Sequence, residues 1–218
     1  MADVPLTTVI FDVGETLWDE TNLWSSWAQW LGIPTFTLHG VLGGLAARDQ
    51  DHLGFLDVFR PGEDREVVML AKQRELPATL TADDLYGDAE PCLRALARDG
   101  WRIVVGGNQP TWFQPLVEQL GLPVDLVTSS GELGAAKPSP AFFTRVAAKA
   151  GVAPEACVHV GDRVDNDVVG ALKAGLTAVH VRRGPWGHLH AEDPALQHPR
   201  AHQVAGLDAL PSLLRSLR

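Results

Sequence analysis

The amino-acid sequence predicts a doubly wound α/β fold with a helical insertion, and three observations carry the prediction. Short runs rich in Val, Ile and Leu recur along the chain, helix-like stretches that stop at glycine separate most of them, and one long gap in this alternation contains helical stretches alone. In order, the apolar runs are TTVIFDV, RIVVGG after Trp101, VDLVTSS near 127, CVHVGD near 159 and TAVHVRR near 180. Their continuous apolar character is that of parallel strands buried on both faces. The intervening stretches EPCLRALARDG, TWFQPLVEQLG, PAFFTRVAAKAG and DVVGALKAG each end at a glycine, the residue that tolerates the left-handed conformation closing a helix. Five strands are expected in all.

The gap runs from about Leu17 to Tyr86 and holds WSSWAQWLG, TLHGVLGGLAARD and REVVMLAKQREL, read as helices set apart by Gly and Pro. An insertion directly after the first strand is expected above the carboxyl ends of the strands, where open α/β sheets bind ligands, and is placed to act as a lid. Trp24, Trp27 and Trp30 fall along one side of its first helix. They read as packing between helices, with an aromatic wall for an apolar substrate group as the alternative.

Composition narrows the function classes. The chain has 218 residues, 45% of them hydrophobic, enough for one core and a small accessory unit. Its net charge of −9 and scattered Lys and Arg leave no electrostatic footprint for nucleic acid or an anionic membrane. Cys92 and Cys157 are far apart and suit a reducing compartment. The N-terminal MADVPLTT shows no basic leader and no apolar run is long enough to span a bilayer, so a soluble, cytoplasmic protein is expected. His188, His190, His198 and His202 read as a solvated loop rather than a metal site.

Four polar features follow strand ends: Asp12 after the first run, Gly107 and Asn108 after the second, Lys137 in GAAKPSP beyond the third, and Asp162 and Asp167 in GDRVDND after the fourth. A parallel sheet brings all of them to one rim. In this order and spacing, with SSGELGAAKPSPAFF and VHVGDRVDNDVVGALKAG as the strongest pieces, the sequence resembles the haloacid dehalogenase superfamily. The resemblance implies a Rossmann-like core at 1–16 and 88–218 and a helical cap at 17–87. It also implies Asp12 as a carboxylate nucleophile, Lys137 to neutralise the nucleophile and transferring group, and Asp167 to orient that ammonium or a metal-bound water. Mg²⁺ would be held by Asp12, the Gly14 carbonyl and Asp162, suiting phosphoryl transfer from a small phosphorylated metabolite.

Two departures bear on activity. Where phosphatases of the superfamily carry a second aspartate as general acid and base, this chain has Gly14, a loss of about 3 to 5 kcal/mol of barrier lowering if nothing replaces it. Glu15, one residue further along, is the nearest replacement. Where the family has Ser or Thr, this chain has Gly107, whose N–H with that of Asn108 could instead form an anion nest. Three functions stay open: a Mg²⁺-dependent phosphatase, a catalytically silent binder of a phosphorylated ligand or partner, and a 2-haloacid dehalogenase, whose halide leaves without a proton. Oligomeric state is not readable.

Overall fold

The computed structural model describes residues 4–79 and 81–218; residues 1–3 of the N-terminal stretch read above for a leader, and Leu80, lie outside it. Six strands form one sheet: β1 (Thr8–Phe11), β2 (Arg102–Gly107), β3 (Leu126–Ser129), β4 (Cys157–Gly161), β5 (Thr177–Val181) and β6 (Ala201–Val204). Every pairing is parallel, and the strand order is β3-β2-β1-β4-β5-β6. The order reverses between β1 and β4, the topological switch point at which α/β sheets of this kind open a crevice beyond their carboxyl ends. β6 is an addition to the five expected strands. Its sequence AHQV has two polar residues in four and lies at the sheet edge, so no apolar run marks it.

The chain splits into two compact units, Met1–Asp19 with Leu85–Arg218, and Glu20–Asp84. The second unit holds the insertion after β1, with four α-helices among the described residues rather than the three helices expected: α1 (Thr21–Leu31), α2 (Thr35–Ala46), α3 (Gly54–Phe59) and α4 (Arg65–Glu75). Gly32, at φ 68°, closes α1 in the left-handed conformation, and the Asp64 carboxylate caps α4 by accepting from the Glu66 and Val67 N–H groups. Trp27, Leu38, Leu42, Leu45, Phe55 and Val68 build the core of this unit. The tryptophans pack as helix-to-helix filling: Trp27 stands edge-on to Phe55 (5.1 Å) and Trp30 (5.8 Å), and Trp24 edge-on to Phe55 (5.8 Å).

The first unit carries the sheet and the remaining helices, α5 (Ala89–Arg98), α6 (Phe113–Gln119), α7 (Ser130–Leu133), α8 (Pro140–Lys149), α9 (Val169–Lys173), α10 (Gly184–Leu189) and α11 (Leu210–Ser216). Ile10, Val104, Cys157 and Ala178, one from each of four adjacent strands, pack with Phe142, Phe143 and Val146 of α8 and with Val168 and Ala171 at the start of α9. α5 packs on β2 and α11. The segments leading into and out of the insertion are paired within this unit, with Trp18 bridged to Leu85 and the Tyr86 N–H donating to the Leu17 carbonyl at 3.0 Å. Among the described residues, no helix is long and apolar enough to cross a membrane.

Candidate active site

Asp12 follows β1 directly, and its N–H donates to the Val160 carbonyl of β4 at 2.8 Å, which extends the sheet pairing by one residue and holds the side chain at the switch point. Asp162 follows β4 on the neighbouring strand. Lys137 reaches the same place from the segment between α7 and α8. Its Nζ lies 2.5 Å from Asp12 Oδ1 and 2.6 Å from Asp167 Oδ1, with all three residues buried. Ligand oxygens of Asp12, Asp162 and Asp167 fall within 4.8 Å of one another. Four of the eight residues singled out from the sequence therefore meet in one cluster.

Local geometry explains how each is held. Asp167 lies on a π-helical turn, Val164–Val168, and accepts at Oδ1 from Lys137 and at Oδ2 from the Arg163 N–H (3.1 Å). Gly161 makes room for it: a Cβ there would stand 2.3 Å from the Asp167 carboxyl carbon. Asn108, expected to contact substrate, spends its side-chain amide on the Lys137 backbone. It accepts from the Lys137 N–H at 2.8 Å and donates to the Lys137 carbonyl at 3.0 Å. The ammonium is thus aimed from the end of β2, one strand from Asp12 and two from the strand that leads to Asp167.

Gly107 ends β2 beside Asp12. A Cβ at this position would lie 2.9 Å from Val13 Cγ2 and 3.1 Å from Asp12 Oδ1, so a side chain of the kind the family carries here would crowd the buried, β-branched Val13. Gly14 is half-buried in the loop where Thr16, Leu17 and Trp18 turn their N–H groups onto the Val13 carbonyl. Glu15 stands outside the carboxylate cluster. Its backbone is left-handed (φ 53°), an uncommon state for a residue with a side chain, and its Oε2 accepts from the Tyr86 hydroxyl at 2.5 Å. The side chain also fills the space over Gly184, where a Cβ would come within 2.7 Å of it.

Three histidines that carried no sequence signal support the loop after β4. His180 Nε2 donates to the Asp162 carbonyl (2.8 Å) while its Nδ1 accepts from Gln203 of β6 (3.0 Å). His190, read from the sequence as solvated, is buried and accepts the Val164 N–H at Nδ1 (3.2 Å). His159 Nε2 lies 2.9 Å from Asp167 Oδ1.

The electrostatics follow from burying three carboxylates with one ammonium. Burial raises the Asp12 carboxyl above its ordinary value against the pull of Lys137, with Asp167 adding to the rise. Asp162 is raised further, by burial first and then by Asp167, Asp12 and Glu15. For Asp167, burial acts upward but Lys137 and the His159 hydrogen bond outweigh it, holding the carboxyl well below the usual range. Burial alone would depress Lys137, yet Asp12 and Asp167 keep it above an ordinary lysine. No hydrogen bond reaches the Asp162 carboxylate among the described residues. A site of hard oxygen donors with uncompensated negative charge suits a divalent cation such as Mg²⁺, and the residues present fit one.

A parallel sheet that gathers a carboxylate, an ammonium and paired acids at its switch point defines a doubly wound α/β protein with a charged site beyond its strand ends. Within that class the sequence profile of haloacid dehalogenase-like hydrolases matches residues 6–175, and the chain belongs to that family. It is 37% identical over 105 residues to the glyceraldehyde 3-phosphate phosphatase of Methanopyrus kandleri, covering 46% of this chain and 45% of that protein. It is 39% identical over 113 residues to the phosphoserine phosphatase of Thermus thermophilus, covering 50% and 44%. Each match therefore spans less than half of the relative. The fold is similar to that of the L-2-haloacid dehalogenase of Xanthobacter autotrophicus with chloropropionic acid covalently bound, at 20% identity, TM-score 0.67, and coverage of 98% of this chain and 100% of that one.

The packing around Gly107 makes a test of its own. Gly107→Ser is expected to destabilise the fold by about 1–3 kcal/mol through overpacking on Val13, read by urea unfolding. An unchanged midpoint would show that Val13 yields at no cost.

Proposed function

We propose that the chain is a phosphatase acting on a small phosphorylated metabolite, with Asp12 as nucleophile and the helical insertion, 17–87, as a cap that supplies selectivity. The observation that carries this reading is Lys137 seated between Asp12 and Asp167 in a buried carboxylate cluster. In the proposed reaction the Asp12 carboxylate, oriented by Lys137 and the Val13 N–H, attacks phosphorus and the P–O bond to the alkoxide breaks. Water then attacks the phosphorus of the aspartyl-phosphate, releasing phosphate and restoring Asp12. Lys137 compensates charge on the attacking and transferred oxygens, and Asp167 keeps the ammonium in place. Mg²⁺ held by Asp12, the Gly14 carbonyl and Asp162 would supply further charge compensation to the phosphoryl oxygens. The N–H groups of Gly107 and Asn108 are the substrate-binding donors beside Asp12. Phosphatases among the relatives support the reaction class.

Proton transfer is the weak point of this machinery. Gly14 offers no side chain, and Glu15 has an oxygen engaged by Tyr86, which supports solvent rather than Glu15 as the source of the proton for the leaving alkoxide. The same observation favours a second reading, a phosphate-ligand binder with little turnover. A screen of phosphate esters with Mg²⁺ separates the two. Turnover is expected, Asp12→Asn abolishes it, Glu15→Gln leaves it largely unchanged, and Gly14→Asp raises it by about 10²-fold or more. Turnover indifferent to Asp12→Asn would remove the assignment, and binding without turnover in wild type and Gly14→Asp alike would favour the binder.

The raised Asp162 carboxyl sets a pH dependence. The folded chain without metal keeps a proton that the unfolded chain gives up, so its stability falls as pH rises from the unfolded carboxyl value through the folded one. Mg²⁺ takes the deprotonated carboxylate, so thermal stabilisation by Mg²⁺ is expected to grow with pH across that window. A melting-temperature shift independent of pH would contradict the ligand role of Asp162.

A further inference from the structure

We propose that His159 is a positioning residue for this site, its Nε2–H holding Asp167 so that Lys137 is shared with Asp12. The inference rests on the reading of Asp12 and Lys137 as the acting pair. His159 lies on β4 between two apolar register partners, Ile10 of β1 and Ala178 of β5. It is completely buried, and Phe143 stands edge-on to its ring at 4.9 Å. Its Nδ1 is buried with no hydrogen-bond partner. Valine or leucine would fill such a place without burying a bare ring nitrogen, which costs about 1–3 kcal/mol.

What the imidazole does in return is visible at Nε2. Asp167 already accepts at Oδ1 from the Lys137 ammonium and at Oδ2 from the Arg163 N–H, so the nitrogen 2.9 Å from its Oδ1 is the donor of that contact. That same Oδ1 takes the Lys137 ammonium at 2.6 Å. Two donors therefore share one oxygen. With the second oxygen occupied by the Arg163 N–H, the carboxylate is fixed in rotation and part of its charge is met by the ring. The ammonium remains available to Asp12, 2.5 Å on its other side. Without the ring, Asp167 would be free to draw the ammonium to itself, and Lys137 would be less able to follow charge onto Asp12 and a transferred group.

Two variants and one spectrum test this. His159→Gln carries an amide N–H to about the reach of Nε2, whereas His159→Met has similar bulk and no donor. Among folded proteins, His159→Met is expected to lose about 10- to 100-fold in kcat with a smaller change in KM, and His159→Gln to recover most of the loss. In wild type, ¹⁵N spectra of the histidine rings are expected to show His159 protonated at Nε2 and bare at Nδ1. A Met variant with wild-type kcat, a Gln variant as impaired as Met, or a proton on Nδ1 would overturn the proposal. If no ester is turned over, the proposed activity fails separately, and the tautomer still decides the role of His159, as does Mg²⁺ affinity by calorimetry, weakened in Met but not in Gln.

Discussion

The site depends on one buried ammonium. Lys137 is seated among acids that burial has stripped of water, and its position decides which carboxylates can stay charged. Such a cluster is a poor device for stability. Buried ion pairs recover their desolvation cost only with good geometry, and apolar replacements are often as stable, whereas removing one partner alone costs about 3–5 kcal/mol. An arrangement of this kind is explained by what it does to an incoming charge. Three carboxylates around one cation leave Asp162 short of compensation, and that shortfall is the attraction for a metal ion.

The fold supplies the meeting point. β1 and β4 are neighbours at the place where strand order reverses, so Asp12 and Asp162 leave the sheet side by side without either loop having to reach. Lys137 must travel further, and its aim comes from Asn108 at the end of β2, which clasps both backbone groups of the lysine. Asp167 is placed by the turn after β4 and by a glycine that yields its side-chain volume. Lys137 is thus held by the Asn108 side chain just beyond β2 and Asp167 by the Arg163 N–H, so the cluster is fixed in place.

Much of this was legible in the sequence because burial on both faces writes parallel strands as unbroken apolar runs. Asp12, Lys137 and the two acids after β4 follow strand ends in a fixed order, which is why their convergence could be expected. The supporting contacts left no such trace. β6 lacks an apolar run, yet its Gln203 steadies His180 beneath Asp162. His159 reads as one polar interruption in CVHVGD, and only the fold shows an acid opposite it. The clasp of Asn108 on Lys137 and the hydrogen bond from Tyr86 to Glu15 join residues 29 and 71 positions apart, beyond any local pattern. Gly107 had a visible consequence, a missing hydroxyl, but the close approach of Val13 and Asp12 to it shows only in the fold.

The central claim is that Lys137 partitions this cluster into a nucleophile that faces a phosphoryl group and an acid that faces a metal. A crystal structure of the protein with Mg²⁺ and beryllofluoride, a phosphoryl mimic that bonds to carboxylates, tests it most directly. The account predicts the mimic on Asp12, the ion in contact with Asp12 and Asp162, and Lys137 still bound to Asp167. A mimic on another residue, or an ion bound away from Asp162, would contradict it.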